Sequence, residues 1–312
     1  MFNRLTTYTV FVFLLAYSLS QNNVIAQEQE TDSLNTEAFL EELAKLEADL
    51  SRDSLTILDL LDSLLNMESK YSTLSFRVGF MSEVLSAGRD LNVKQYGFNP
   101  GITYYHKSGI FTDLTGFWNS EFDPKYNLTV LGIGYLGYFT NKWSYIFFYD
   151  HSFYSASDIK NPLKNSLRAS TYLDFRHLDL GVDYSFLFGS ETAHRLRGNV
   201  ALNFKIKNVL FFDYVKLRPS FSTLFGNTLV TTIRFNRGFR QRDERPFIIN
   251  EDNVFGLMNY EFSLPITATR KAFSVLFNYN YAIPKELPGE NLELEPNGYF
   301  AASIIYTIGF RK

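Results

Sequence analysis

The chain contains no cysteine in its 312 residues. That absence excludes disulfides, thiolate metal sites and a cysteine-linked lipoprotein anchor. Histidine is scarce as well, with four residues and no cluster among them. Metal binding and metal-dependent catalysis are therefore not expected, and no cofactor is. Long hydrophobic runs are missing too. Beyond the N-terminus no stretch of apolar residues reaches the roughly 18 that a membrane-crossing helix needs. A chain that crosses a bilayer with every second residue facing away from lipid would escape that test.

Aromatic residues are present in excess, with 31 Phe and 20 Tyr. Few soluble folds need so many, whereas membrane barrels use them in the lipid-facing band and at both interfaces. The first residues read as an address. Arg4 supplies a basic start, Val10 to Tyr17 an apolar core, and Val24-Ile25-Ala26 a small-residue cleavage site. Residues 1–26 are expected to be a cleaved signal peptide. The alternative, a retained anchor, is disfavoured by the shortness of the core.

Residues 27–70 are different in kind: twelve acids, three bases, no Gly and no Pro. Their apolar positions follow a heptad, with Thr36, Leu43, Leu50, Ile57 and Leu64 at a. Phe39, Leu46, Asp53, Leu60 and Met67 fall at d. Two readings stand: amphipathic helices lying against the end of the following domain, or a self-associating coiled coil. Asp-Ser-Leu recurs at Asp32–Leu34, Asp53–Leu55 and Asp62–Leu64. It resembles an O-glycosylation acceptor of some Gram-negative lineages, although helix capping explains the first two equally well.

From Tyr71 the charge reverses, to 26 bases against 21 acids, and the periodicity changes to two. Leu74, Phe76, Val78 and Phe80 alternate with Ser75, Arg77 and Gly79. Similar runs recur to the C-terminus, where Phe300, Ala302, Ile304, Tyr306, Ile308 and Phe310 share one parity. Thirteen runs can be traced. The stretch from Asn127 to Phe139 is apolar on both parities, so its facing is undetermined. Single-chain bacterial barrels have an even strand number, so one run is surplus. The crowding places the error between Leu196 and Arg237. Twelve strands are expected, with ten and fourteen as alternatives.

The signal peptide, the sustained alternation over 71–312 and the closing strand together resemble Gram-negative outer-membrane β-barrels. Arg311 and Lys312 depart from the pattern, since an aromatic often ends such chains. The resemblance implies an all-β, transmembrane, antiparallel up-and-down barrel preceded by a periplasmic helical segment. It also implies insertion by the outer-membrane assembly machinery through Tyr306, Ile308 and Phe310, with both termini periplasmic. Expected partners are outer-membrane lipid, that machinery, and a second copy or periplasmic protein through 27–70; nucleic acid is disfavoured by compartment.

Inward parity collects charge. Arg195, Arg197, Lys205, Lys216, Arg218 and Arg234 come from consecutive strands, and Asp113, Asp150, Asp174, Asp179 and Asp183 from earlier ones. A basic wall opposite an acidic wall would focus ions in a narrow lumen. The alternative is cross-strand ion pairing that fills the barrel, for instance Asp179 or Asp183 with Arg195 or Arg197. The expected function is a small channel for polar or anionic solutes, with a closed structural or assembly barrel as the alternative. A lipid-modifying hydrolase comes a distant third. The only His-x-Ser spacing is His106–Ser108, within a predicted turn, so the chain is not expected to be an enzyme.

Overall fold

A computed structural model describes residues 71–82, 96–120, 124–155, 163–235, 247–288 and 294–310, with side chains left aside at 228–235 and 247–253. The expected signal peptide, the acidic heptad segment, the Asp-Ser-Leu tripeptides and the last two residues lie outside the described residues. Fourteen strand segments follow one another: β1 (Ser72–Met81), β2 (Gly97–Tyr105), β3 (Ile110–Asn119), β4 (Tyr126–Thr140), β5 (Trp143–Tyr154), β6 (Asn165–Phe175) and β7 (Leu178–Phe188). Then come β8 (Thr192–Leu202), β9 (Phe204–Val209), β10 (Phe212–Leu217), β11 (Ser220–Phe235), β12 (Phe247–Arg270), β13 (Phe273–Pro284) and β14 (Asn297–Phe310).

The segments make twelve walls. β8 pairs with β11 through Ala201↔Ser220, and β9 pairs with β10 through Phe204↔Leu217 in the same register. β8 and β9 are therefore one strand interrupted at Asn203, and β10 and β11 one strand interrupted at Arg218 and Pro219. Pro219 has no N–H to give to the ladder. Its carbonyl still accepts from Leu202 N at 2.9 Å, and Arg218 N still donates to Pro265 O at 3.0 Å. The runs at Val215–Phe221 and Leu229–Phe235, expected as two strands, belong to this single wall. They account for the surplus run.

Each wall pairs antiparallel with the next, and β1 pairs with β14 from Ser72↔Phe310 to Met81↔Ala301. The closed ladder satisfies the backbone without a free edge, as a bilayer demands. Parity then sorts the side chains. On β1 Val78 is 55% exposed while its neighbour Arg77 is 5%; on β14 Ile304 is 51% exposed and Ser303 is 7%. An exterior this apolar belongs in lipid, and the chain is a transmembrane barrel.

One end is closed by connections of two to four residues, His106–Gly109, Asn141–Lys142, Arg176–His177, Leu210–Phe211 and Lys271–Ala272, and the other end has one as short, Gly189–Glu191. Arg176, Leu210 and Lys271 have positive φ at the first turn position (61°, 56° and 53°), the sign that a type II′ turn needs and that glycine usually supplies. β4, whose facing the pattern left open, turns Leu131, Ile133 and Tyr135 outward and Val130 and Leu136 inward. The two inward glycines between them are occupied space. A Cβ on Gly132 would lie 2.1 Å from Phe148 Cζ, and one on Gly134 would lie 2.4 Å from Phe111 Cζ.

Candidate functional site: the barrel lumen

On the inward face, Tyr105, Phe111, Leu136, Ile146, Phe148 and Tyr172 form a buried apolar cluster inside the barrel. Phe111 and Phe148 stack with ring centroids 5.5 Å apart and planes 7° off parallel. Phe148 shares the inward parity of Asp150, but nothing in the sequence pattern marks a cluster of rings there. It forms because β4 offers glycine where its neighbours offer rings.

Charged side chains share this face, some of them on the rungs of the cluster itself, as where Arg168 pairs in register with Phe148. Arg77 reaches over Gly101 on β2, where a Cβ would come within 2.7 Å of its Nη2. It donates to Thr115 Oγ1 at 2.8 Å and stands 3.5 Å from Asp113 Oδ1 on β3. Asp113 also accepts from Thr103 Oγ1 at 2.6 Å and from Thr115 Oγ1 at 2.7 Å. Asp150, 1% exposed, lies 3.8 Å from Arg168 Nη2 on β6. Asp183 accepts from the Tyr172 hydroxyl and faces Arg197 in register across β7 and β8.

Arg195 and Lys216 are buried, with Arg195 Nη1 3.0 Å from Met258 Sδ. Asp179 takes its ion pair from Arg218 Nε at 3.0 Å, two walls away, and not from Arg195 or Arg197. Its register partner on the intervening wall is Ala201, a methyl group that leaves the path clear. Buried charges of this kind are tolerable when paired, and costly when one partner is removed.

Two predicted lumen residues sit at the turn end. Asp174 is exposed and accepts from Arg176 N at 2.9 Å, closing the β6–β7 turn. Lys205 is exposed on β9, its Nζ 3.8 Å from the centroid of the Tyr214 ring. Both keep inward parity, but parity continues past the last rung of the wall. β7 ends at Leu178, paired with Leu202, so β9 runs on with β10 as its partner. Arg234 is placed in β11 by its backbone, and its side chain is not among those described.

The sequence pattern does not single out Arg77, Arg168 or Glu261, which the structure also turns inward. Glu261 accepts from Tyr299 Oη at 3.1 Å. Beside it β12 and β13 present neutral amides: Ser263 Oγ donates to Asn280 Oδ1 at 2.6 Å and Asn278 Nδ2 donates to the same oxygen at 2.9 Å. Among the described side chains, charge thus gathers on β1, β3 and β5 to β10, and beside Glu261 the inward face of β12 and β13 is amide-rich.

His106 Nδ1 lies 2.8 Å from Ser108 Oγ and also accepts from Ser108 N at 3.3 Å. Both bonds close the β2–β3 turn on itself. Tyr306, Ile308 and Phe310 are all exposed on the exterior of β14. Among the described residues no group of three or more His, Asp or Glu is arranged to hold a metal ion.

No protein-family model matches the chain, and no curated protein does. Solved structures that it resembles are membrane barrels. The NanC porin aligns over 75% of this chain and 98% of its own at 11% identity, TM-score 0.41. LpxR from Salmonella typhimurium aligns over 74% and 99% at 10% identity, TM-score 0.41. The translocator domain of autotransporter NalP from Neisseria meningitidis aligns over 87% and 97% at 10% identity, TM-score 0.41. The barrel itself rests on this chain's own closed strand order.

Proposed function

We propose that the protein is an integral outer-membrane barrel whose lumen is a narrow, gated path for small polar or anionic solutes. The observation that carries this reading is the charge on the inward face. Ionisable side chains inside a membrane protein are expensive, and where they persist they line ion and solute paths. A barrel that served only as a wall could be filled with neutral side chains. Arg195, Arg197, Lys216 and Arg218, from two adjacent walls, would set a preference for anions. The apolar cluster around Phe111 and Phe148 would be the constriction. In this reading the tight turns are periplasmic, and so is the segment at 27–70.

Planar-bilayer recording of the refolded barrel tests this. Small or rare conductance steps are expected for the parent protein. Larger steps are expected for Phe111→Ala/Phe148→Ala, which opens the constriction. Arg195→Gln/Arg197→Gln in that background should lower anion selectivity. No steps in any of the three would remove the channel.

The burial of the lumen favours a second reading, a closed barrel that presents the acidic segment 27–70 to a periplasmic partner or a second copy. Crosslinking with and without residues 27–70 separates the two, since an unchanged monomer in both would exclude self-association.

A further inference from the structure

β1 begins at the end that five short connections close, and each of those connections carries or adjoins an exposed base. Lys107 stands between β2 and β3, Lys142 between β4 and β5, and Arg176 between β6 and β7. Lys207 lies near the end of β9, and Arg270 and Lys271 lie where β12 turns into β13. All six are exposed.

The barrel does not neutralise this charge itself. Among the described residues two exposed carboxylates share the end, and both are taken by turn backbone. Asp174 accepts from Arg176 N at 2.9 Å and Asp213 accepts from Lys271 N at 2.6 Å. None of the six basic side chains has an ion pair among the described residues. The chain also enters the barrel beside one of these turns, since Lys107 N donates to Ser72 Oγ at 3.2 Å and Ser72 opens β1. Just before it in the sequence, residues 41–70 carry eight acids and three bases.

We infer that this basic rim is the docking surface for the chain's own acidic segment, residues 41–70. The charges are complementary, and the two are joined at Tyr71. Exposed ion pairs are weak singly, but the tether makes docking intramolecular, at an effective concentration on the order of millimolar. A free anionic lipid has to be recruited from the bilayer, whereas the segment cannot leave. Length suffices. Thirty residues span about 45 Å even when wound as a helix, and twelve walls about 4.8 Å apart make a ring on the order of 25 Å across. The β9–β10 turn adds an apolar footing beside Lys207, where Leu210 and Phe211 are 79% and 60% exposed. Leu43, Leu50, Ile57 and Leu64 of the heptad are residues of the kind that would cover it. The inference goes beyond the channel reading, since the rim carries its charge whether or not solutes pass.

Carbodiimide coupling joins a carboxylate to a lysine amine only in direct contact. It tests the docking on the full chain folded in zwitterionic micelles, with linked peptides read by mass spectrometry. In the parent, links from 41–70 to Lys107, Lys142, Lys207 or Lys271 are expected at monomer mass. Salt at 1 M should lower their yield at least fivefold, because the screening length falls to about 3 Å. Lys142→Glu/Lys207→Glu should lower the yield at Lys107 and Lys271, which it leaves in place, at least threefold. Lys125→Glu/Lys164→Glu removes two exposed bases from the other end and should leave the yield unchanged. No links to the rim, or equal yields in the two double variants, would overturn the docking. Links confined to a crosslinked dimer would overturn it in favour of a second copy, and links lost on adding a few equivalents of phosphatidylglycerol would overturn it in favour of anionic lipid. Heat-modifiable migration on gels, measured for each variant, separates lost docking from lost folding.

Discussion

At the scale of single residues, the lumen is held by charges that need their partners. Arg77 spends its guanidinium on Thr115 and Asp113, both reached across a glycine. Asp113→Ala should therefore destabilise the barrel by about 3–5 kcal/mol, because it leaves a buried guanidinium without its carboxylate. The double change Arg77→Met/Asp113→Leu should recover most of that loss. Urea unfolding of the vesicle-inserted barrel measures both; equal losses in the single and double variants would refute the pairing argument. Gly132 is constrained differently. Its missing Cβ is the space that Phe148 fills, so Gly132→Ala forces the ring out of its stack on Phe111. The expected cost is about 1–3 kcal/mol, as for other overpacked cores, read from the same unfolding curves.

At the scale of elements, turns and interruptions decide the topology. Lys271 holds positive φ between β12 and β13 while its N–H donates to Asp213 Oδ2 at 2.6 Å. Lys271→Gly keeps that bond and relieves the left-handed conformation, which costs roughly 1–2 kcal/mol for an ordinary residue. Glycine's own entropic cost of about 0.5–1 kcal/mol offsets part of the gain. A net stabilisation of up to about 1 kcal/mol is expected in urea, and any loss would argue that the Lys271 side chain is itself required. The β8–β9 and β10–β11 walls show the reverse case. Pro219 breaks the regular pattern without breaking the pairing, since the register on either side is the same. A proline in a run usually signals an edge or an end; here the neighbouring carbonyls and amides close around it.

At the scale of the whole molecule, the exterior is a lipid-facing band and tolerates no charge near its middle. Val78 lies midway along β1, 55% exposed and paired with Ile304 and Pro100. Val78→Arg should destabilise the inserted barrel by about 2–4 kcal/mol, while the same change in detergent micelles, which deform around the charge, should cost less. Similar losses in both media would contradict a mid-bilayer position.

Alternation by itself determined the class of fold and the facing of most strands, because a period of two leaves each residue only one side to occupy. It also determined that Arg195, Lys216, Asp150 and Asp179 point inward. Tertiary structure alone decided three things. It merged two runs around Pro219 into one wall, since continuity of register is a property of the neighbours and not of the strand. It oriented β4, whose inward glycines carry no side chain to read and acquire meaning only from the rings of Phe111 and Phe148. It chose Arg218 as the partner of Asp179, because the reach of a long side chain over Ala201 depends on what the intervening wall leaves empty.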